Sequence, residues 1–299
     1  MKIIANGIDI EIEDTGAGFN ASGNERPVVM LIMGLAMQLV AWPAAFVQAL
    51  VDAGYRVVRF DNRDIGLSQH FDALGTSNLV WAGLKVRLGL AVKSSYSLSD
   101  MALDTLGVMD ALNLQKAHIV GVSMGGMIAQ RVALAAPARV TSLTSIMSTS
   151  GARGLPQASP QVMRALLSRP ASMSEQASGD FYVKLLKVIG SPAFPLSEAE
   201  VRSRACLAFK RSYHPAGINR QMMAIAADTG RADALKSIPV PTLVIHGKAD
   251  ALVPFAHGQD THRRIPCSQF LPIDGMGHDL PPGVVERLLG ALVPHFKAA

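Results

Sequence analysis

The sequence contains little cysteine and little charge. Only two of its 299 residues are cysteines, Cys206 and Cys267, and neither lies in a C-x-x-C spacing. This excludes a disulfide framework and a cysteine-ligated zinc site. Charged residues make up 17% of the chain, the formal net charge is +5, and no basic run is interleaved with aromatic residues. We therefore expect no nucleic acid among the partners of this protein.

Long apolar runs are also missing. The most apolar stretch, residues 28–37, is shorter than the roughly 20 residues that a membrane-spanning helix needs. Near the N-terminus, Asp9, Glu11 and Glu13 fall where a signal peptide would be apolar. These absences predict a cytoplasmic protein without a membrane span. The hydrophobic content of 49% indicates a well-packed globular protein, long enough for one large core domain with an insertion.

The pattern of apolar residues predicts an α/β fold. Residues 2–14 alternate apolar and polar around Asn6-Gly7, as an antiparallel hairpin does. Further strands are predicted at 28–33, 55–60, 117–122, 242–246 and 269–273, and helices at 43–53, 98–112, 124–136, 256–265 and 282–296. This alternation forms a mostly parallel sheet with helices on both faces. Functional residues of such a sheet gather at the carboxyl ends of its strands.

The alternation of strand and helix stops between residues 149 and 236. Serine, proline and glycine there separate helical pieces at 161–167 and 181–188. A long insertion in a compact fold is usually functional. We therefore predict a helical cap at residues 149–236, on a core domain formed by residues 1–148 and 237–299.

A candidate nucleophile lies in the run Gly-Val-Ser-Met-Gly at residues 121–125. It matches the G-x-S-x-G elbow, and it has the required context of a strand before it and a helix after it. The elbow needs glycines because neighbouring backbone must approach the strained turn closely. The bare motif is weak evidence, since a glycine-rich turn can also hold an ordinary serine. The context favours Ser123 as a nucleophile.

A serine hydroxyl needs a base, and His278 is the best of the eight histidines. It lies in a glycine-rich loop between the last predicted strand and the terminal helix. Asp250 follows the strand at 242–246 and completes the order Ser, Asp, His that this kind of fold requires. Asp274 and Asp279 are competitors for the acid, but groups so near in sequence rarely face each other well.

An oxyanion that forms during acyl transfer needs two backbone N–H donors. One comes from the residue after the nucleophile, here Met124, and one from the loop after an early strand, here Leu35. Gly34 lets that loop reach inward or simply ends a strand. We also expect Gln38 to shape this loop.

These elements together resemble the α/β-hydrolase superfamily over nearly the whole chain outside the insertion. The run Asp61–Ser68 is similar to the family segment D-x-R-G-x-G-x-S, except that Asp64 replaces the usual glycine. Residues 247–254 resemble the acid loop G-x-x-D-x-x-x-P, and residues 275–278 the pattern G-x-G-H. The oxyanion loop starts with Met33-Gly34 where many members have His-Gly. Together with Trp42-Pro43, it resembles bacterial esterases of the aclacinomycin methylesterase group.

The resemblance implies a serine esterase that cleaves small to medium apolar carboxylic esters through an acyl-enzyme intermediate. Such chemistry needs no metal or organic cofactor. A small-molecule ester is then the expected partner, and a homodimer stays open. C–C bond hydrolases, lactonases, perhydrolases and acyltransferases share the same equipment. A non-catalytic ligand-binding protein is an alternative of a different class.

Overall fold

The central element of the structure, a computed structural model that describes residues 1–19, 23 and 25–299, is a β-sheet. Its strands within the described residues are β1 (Lys2–Ala5), β2 (Ile8–Asp14), β3 (Val28–Ile32), β4 (Arg56–Phe60), β5 (Ala117–Val122), β6 (Val140–Ile146), β7 (Thr242–Gly247) and β8 (Ser268–Ile273). They lie in the order β1-β2-β4-β3-β5-β6-β7-β8. The first two strands pair antiparallel, and β2 pairs antiparallel with β4, whereas the remaining pairs are parallel. The predicted α/β class is confirmed.

The helices lie between and beyond these strands. They are α1 (Ala44–Asp52), α2 (Leu79–Arg87), α3 (Leu98–Ala111), α4 (Met124–Ala135), α5 (Pro160–Leu167), α6 (Glu175–Ile189), α7 (Glu198–Arg211), α8 (Pro215–Ala227), α9 (Arg231–Ala234), α10 (Ala256–Arg264) and α11 (Pro282–Lys297). None of those in the described chain combines the length and apolar character that crossing a bilayer requires.

Two apolar clusters cover the two faces of the sheet. Neighbouring residues of a strand point to opposite faces. In β3, Met30 therefore packs with α3 and α4, while Leu31 packs with α1 and α11. Because both faces are buried, the central strands read as nearly continuous apolar runs. This is the reason that most of them could be predicted from the sequence.

Two of the described strands and α-helices outside the predicted insertion were not predicted. Strand β6 has the sequence VTSLTSI, in which hydroxyl residues interrupt the apolar run. Ser142, Thr144 and Ser145 are nevertheless buried, and Ser142 Oγ lies 2.8 Å from Nδ1 of His118 on β5. Helix α2 is the other omission, and its residues are almost entirely exposed.

The helices α5 to α9 all lie between β6 and β7, within or next to the segment predicted as a cap. Polar contacts attach α7 and α8 to the loop that follows β4. Arg220 of α8 donates two hydrogen bonds to the buried carboxylate of Asp64, at 2.8 and 2.7 Å. Arg211 of α7 contacts Asp61 at 2.5 Å. The division of the chain into a core and a cap stays a prediction.

Asp64 occupies a conformation that usually favours glycine. Its φ is 70°, in the left-handed region, which aspartate tolerates better than most residues. Burial raises the pKa of its carboxyl, but hydrogen bonds from Arg220 and from the Phe71 amide outweigh burial and leave the pKa below its usual value. Asp64 therefore supplies a charge partner for a buried arginine.

We predict that Asp64→Gly destabilises the protein by about 3 kcal/mol, even though glycine fits the local φ. The change removes both short hydrogen bonds to the buried Arg220 guanidinium and leaves it, as an ion pair within the described residues, only the 3.3 Å contact with the exposed carboxylate of Asp72. The free energy of unfolding in urea measures this. The double variant Asp64→Gly/Arg220→Leu should recover much of the loss, since it also removes the poorly paired charge. A single variant as stable as the wild type would contradict the prediction.

Candidate active site

Ser123 lies on a sharp turn between β5 and α4. Its φ is 56°, in the left-handed region, which is the strained conformation of a nucleophile elbow. Two contacts of its backbone hold the turn: its N–H donates to the carbonyl of Ile146 at 2.9 Å, and its carbonyl accepts a hydrogen bond from Ser148 Oγ at 2.7 Å. The hydroxyl of Ser123 projects from the carboxyl end of the sheet.

The glycines around Ser123 are required by close backbone approaches. A Cβ on Gly125 would lie 2.1 Å from the carbonyl oxygen of Ile32, at the end of β3. A Cβ on Gly121 would lie equally close to the carbonyl oxygen of Gly125. The elbow can therefore form only with glycine at these two positions, as the motif predicts.

His278 connects the serine with an acid. Its Nε2 lies 3.0 Å from Ser123 Oγ, and its Nδ1 lies 2.7 Å from Oδ2 of Asp250. The other oxygen of Asp250 accepts hydrogen bonds from the amides of Leu252 and Val253, at 2.9 and 2.8 Å. The structure thus brings the three predicted residues into one continuous chain of hydrogen bonds, and amide donors fix the orientation of the carboxylate.

The two competing aspartates point elsewhere. Asp274 is exposed and pairs with Lys248 at 2.8 Å. Asp279 accepts hydrogen bonds from the backbone N–H and the hydroxyl of Ser191. Burial raises the pKa of the Asp279 carboxyl, and the bonds from Ser191 offset this only in part.

Residues at the end of α6 hold the loop that carries His278. The backbone N–H of His278 donates to the carbonyl of Ile189 at 2.7 Å, and the N–H of Gly277 donates to Ser191 Oγ at 2.8 Å. Sequence analysis did not single out Ser191, because an isolated serine in a segment rich in serine carries no recognisable pattern. Its bridge between Gly277 and Asp279 is visible only in three dimensions.

The predicted oxyanion loop forms a tight turn beside the serine. The N–H of Met37 donates to the carbonyl of Gly34 at 3.3 Å, and Ala36 adopts a φ of 63°. Within the described residues, the amides of Leu35 and Met124 donate to no protein acceptor. Both predicted donors are therefore available at this turn.

Two glutamines join this loop to the inserted helices. Gln221 of α8 accepts a hydrogen bond from the N–H of Ala36 at 3.1 Å and donates to the carbonyl of Arg63 at 3.0 Å. In the opposite direction, Gln38 donates to the carbonyls of Ala208 and Ser212, at 2.7 and 2.8 Å. The contacts of Gln38 agree with the expectation that it shapes the loop. Gln221 was missed, since it lies 185 residues from Ala36, whose N–H it accepts in the loop.

One further cluster contains groups of the kind that ligate metals. The side chains of His70, Asp72 and His214 bring their N and O atoms within 4.8 Å of one another. The two imidazole rings are stacked, however, with centroids 3.8 Å apart and planes 3° apart. The lone pairs of the ring nitrogens lie in the ring planes, so in this geometry they run side by side and do not converge on one ion.

Comparison with known families gives a match to the alpha/beta hydrolase fold over residues 27–281. The chain belongs to the α/β-hydrolase family. Among curated relatives, the rhodomycin D methylesterases DauP of Streptomyces sp. and DnrP of Streptomyces peucetius are 29% and 28% identical, each over 91% of both chains. The resemblance inferred from the motifs is thereby confirmed. The protein is therefore a hydrolase, and its relatives include methylesterases.

Solved structures of similar fold include several hydrolases. The enol-lactonase from Burkholderia xenovorans has a TM-score of 0.73 at 20% identity, and covers 99% of this chain and 100% of its own. An esterase from Thermogutta terrifontis has a TM-score of 0.71 at 24% identity, with coverage of 100% and 98%. At these identities the likeness establishes the fold alone, and one fold accommodates several reactions.

We predict that Gly125→Ala destabilises this α/β hydrolase by more than about 2 kcal/mol, because the new methyl group meets the Ile32 carbonyl and neither backbone segment can move without disrupting the elbow. Gly83→Ala is a matched control in exposed helix α2, where a Cβ meets nothing within 4 Å. It should be neutral or stabilising by about 0.5 kcal/mol. Urea unfolding of both variants tests this, and equal stabilities would contradict it.

Proposed function

We propose that this protein is a serine esterase that hydrolyses small to medium apolar carboxylic esters. The observation that carries the proposal is the chain of hydrogen bonds from Ser123 Oγ through both ring nitrogens of His278 to Asp250. This is the arrangement that activates a serine hydroxyl at neutral pH, since the imidazole accepts the proton while the carboxylate fixes its tautomer. The methylesterase relatives support the choice of an ester as the substrate.

In the proposed first half-reaction, Ser123 Oγ attacks the ester carbonyl carbon as His278 Nε2 takes the hydroxyl proton. Asp250 stabilises the resulting imidazolium without itself being protonated. The tetrahedral intermediate collapses when His278 gives that proton to the oxygen of the leaving alcohol. The ester C–O bond breaks, and the acyl group stays on Ser123.

In the second half-reaction, water replaces the alcohol. The oxygen of the water attacks the acyl-enzyme while His278 takes a proton from that water. His278 then gives the proton to Ser123 Oγ when the acid leaves. The amides of Leu35 and Met124 are proposed to donate to the oxyanion in both halves, because negative charge develops on the carbonyl oxygen in the transition states and is present in the tetrahedral intermediates. No step requires a metal or an organic cofactor.

We further propose that the inserted segment 149–236 acts as a cap, and contacts of α6 support this. Tyr182 Oη lies 4.0 Å from Met37 Sδ in the oxyanion loop. Leu252, two residues after Asp250, packs against the apolar cluster that contains Ile189. Because the backbone of Ile189 also holds the loop of His278, helix α6 contacts all three loops of the site. Apolar side chains on these contacts favour an apolar substrate group.

Hydrolysis of p-nitrophenyl esters of increasing acyl length tests the esterase. Ser123→Ala and His278→Ala should each lower kcat/KM by at least about 10³-fold, and Asp250→Asn by about 10⁴-fold through the wrong imidazole tautomer. Exposed Ser168→Ala is the matched control and should retain full activity. Labelling by a fluorophosphonate should require Ser123. An unlabelled wild type that hydrolyses no ester would instead favour ligand binding, and labelling without ester hydrolysis would favour another reaction of this fold.

A second prediction concerns Gln221, which we propose as a positioning residue for the oxyanion loop. Gln221→Leu removes the acceptor of the Ala36 amide and should lower kcat by roughly 10- to 100-fold with little change in KM, because a displaced donor weakens binding of the transition state most. Gln221→Glu keeps an acceptor and should recover part of kcat. Steady-state kinetics on one ester measures both. A rise in KM at constant kcat would contradict this role.

A further inference from the structure

Helix α2 exposes large apolar side chains and buries a small one, which is the reverse of the usual pattern of a surface helix. It packs against α8, and its small residue Ala82 is only 3% exposed. The large apolar side chains of Val80, Trp81 and Leu84 are 82%, 62% and 44% exposed, and Leu88 at the end of the helix is 63% exposed. A surface helix usually buries its apolar residues and exposes its polar ones.

These exposed residues form one continuous stripe. Successive residues of an α-helix are about 100° apart, so Val80, Leu84, Leu88 and Trp81 fall within an arc of roughly 100° on the side away from Ala82. We call these four residues the α2 stripe. Contiguous exposed apolar surface of this kind marks an interaction site more often than scattered single residues do.

Cations border the α2 stripe on both sides. Around the helix axis, Lys85 lies beyond Trp81 at one border of the stripe, and Arg87 lies beyond Val80 at the other. Both are exposed, as is Lys93 shortly after the helix. The sequence has no acidic residue between Asp72 and Asp100. Within residues 73–99, exposed apolar groups are therefore combined with positive charge alone.

We propose that α2 is a docking surface for an anionic lipid bilayer. The helix would lie in the plane of the interface, with the α2 stripe among the upper acyl chains and the cations at the lipid phosphates. Tryptophan is favoured at this depth, and long basic side chains at the edge of an apolar stripe reach the headgroups. This docking is independent of the proposed ester hydrolysis.

The charges also favour a bilayer over a second copy of the chain. A two-fold interface through the α2 stripe would place each Lys85 and Arg87 near the same residues of the other copy. Like charges would then face each other with no acid of this segment to compensate them. An anionic surface is complementary to all of them at once.

Trp81 provides a direct test. The protein has two tryptophans, and the other, Trp42, is only 1% exposed. With vesicles of phosphatidylglycerol we expect a blue shift of the emission, quenching by lipids brominated on the acyl chains, and co-sedimentation of the protein. Pure phosphatidylcholine vesicles should bind at least about tenfold more weakly, and salt should weaken the binding to phosphatidylglycerol.

Substitutions test whether vesicle binding depends on the α2 stripe. The double variant Trp81→Ser/Leu84→Ser should lose co-sedimentation, while its hydrolysis of a short p-nitrophenyl ester stays at the level of the parent protein. Leu207→Ser, at an exposed leucine of α7, is the matched control and should bind vesicles normally. Absence of binding to phosphatidylglycerol, or equal binding by the double variant, would overturn the proposal. So would a blue shift without vesicles that grows with protein concentration, because it would indicate self-association.

Discussion

The backbone of α4 approaches the end of β3 so closely at Gly125 that no side chain fits between them. This approach places the first turn of α4 beside the oxyanion loop, which leaves β3 at the next residues. The two proposed oxyanion donors, the amides of Met124 and Leu35, belong to these two adjoining segments. The proposed chemistry depends on this backbone contact, because it joins the segment that carries Ser123 to the end of the strand that precedes the oxyanion loop.

Residues between β6 and β7 hold two loops of the candidate site. Gln221 holds the oxyanion loop, and Ser191 and Ile189 hold the loop of His278. The sheet positions the ends of these loops, but a loop that leaves a strand can still adopt several conformations. Contacts from the segment between β6 and β7 therefore restrict the conformations of these loops further. The proposed reaction needs this restriction, because catalysis tolerates only small errors in geometry.

The sequence predicted those parts of the molecule that short patterns determine. Buried strands such as β5 are apolar throughout, and the elbow at Ser123 needs glycines at fixed spacing, so both could be recognised. Strand β6 was missed because its hydroxyl residues look exposed in the sequence, although Ser142 and Ser145 are buried and contact His118 and Gln130. Gln221 and Ser191 escaped for a different reason. Their partners are 185 and 86 residues away, and only the packing of the insertion brings them together.

The buried pair of Asp64 and Arg220 also restricts the order in which substitutions can accumulate. Loss of the aspartate first leaves a guanidinium that cannot lose its charge near neutral pH. Loss of the arginine first leaves a carboxyl group that can take up a proton and become neutral. A route from this protein to a relative with glycine at position 64 is therefore easier when it begins at position 220. The same asymmetry makes the arginine the harder residue to acquire, since it is tolerated only after its acid is in place.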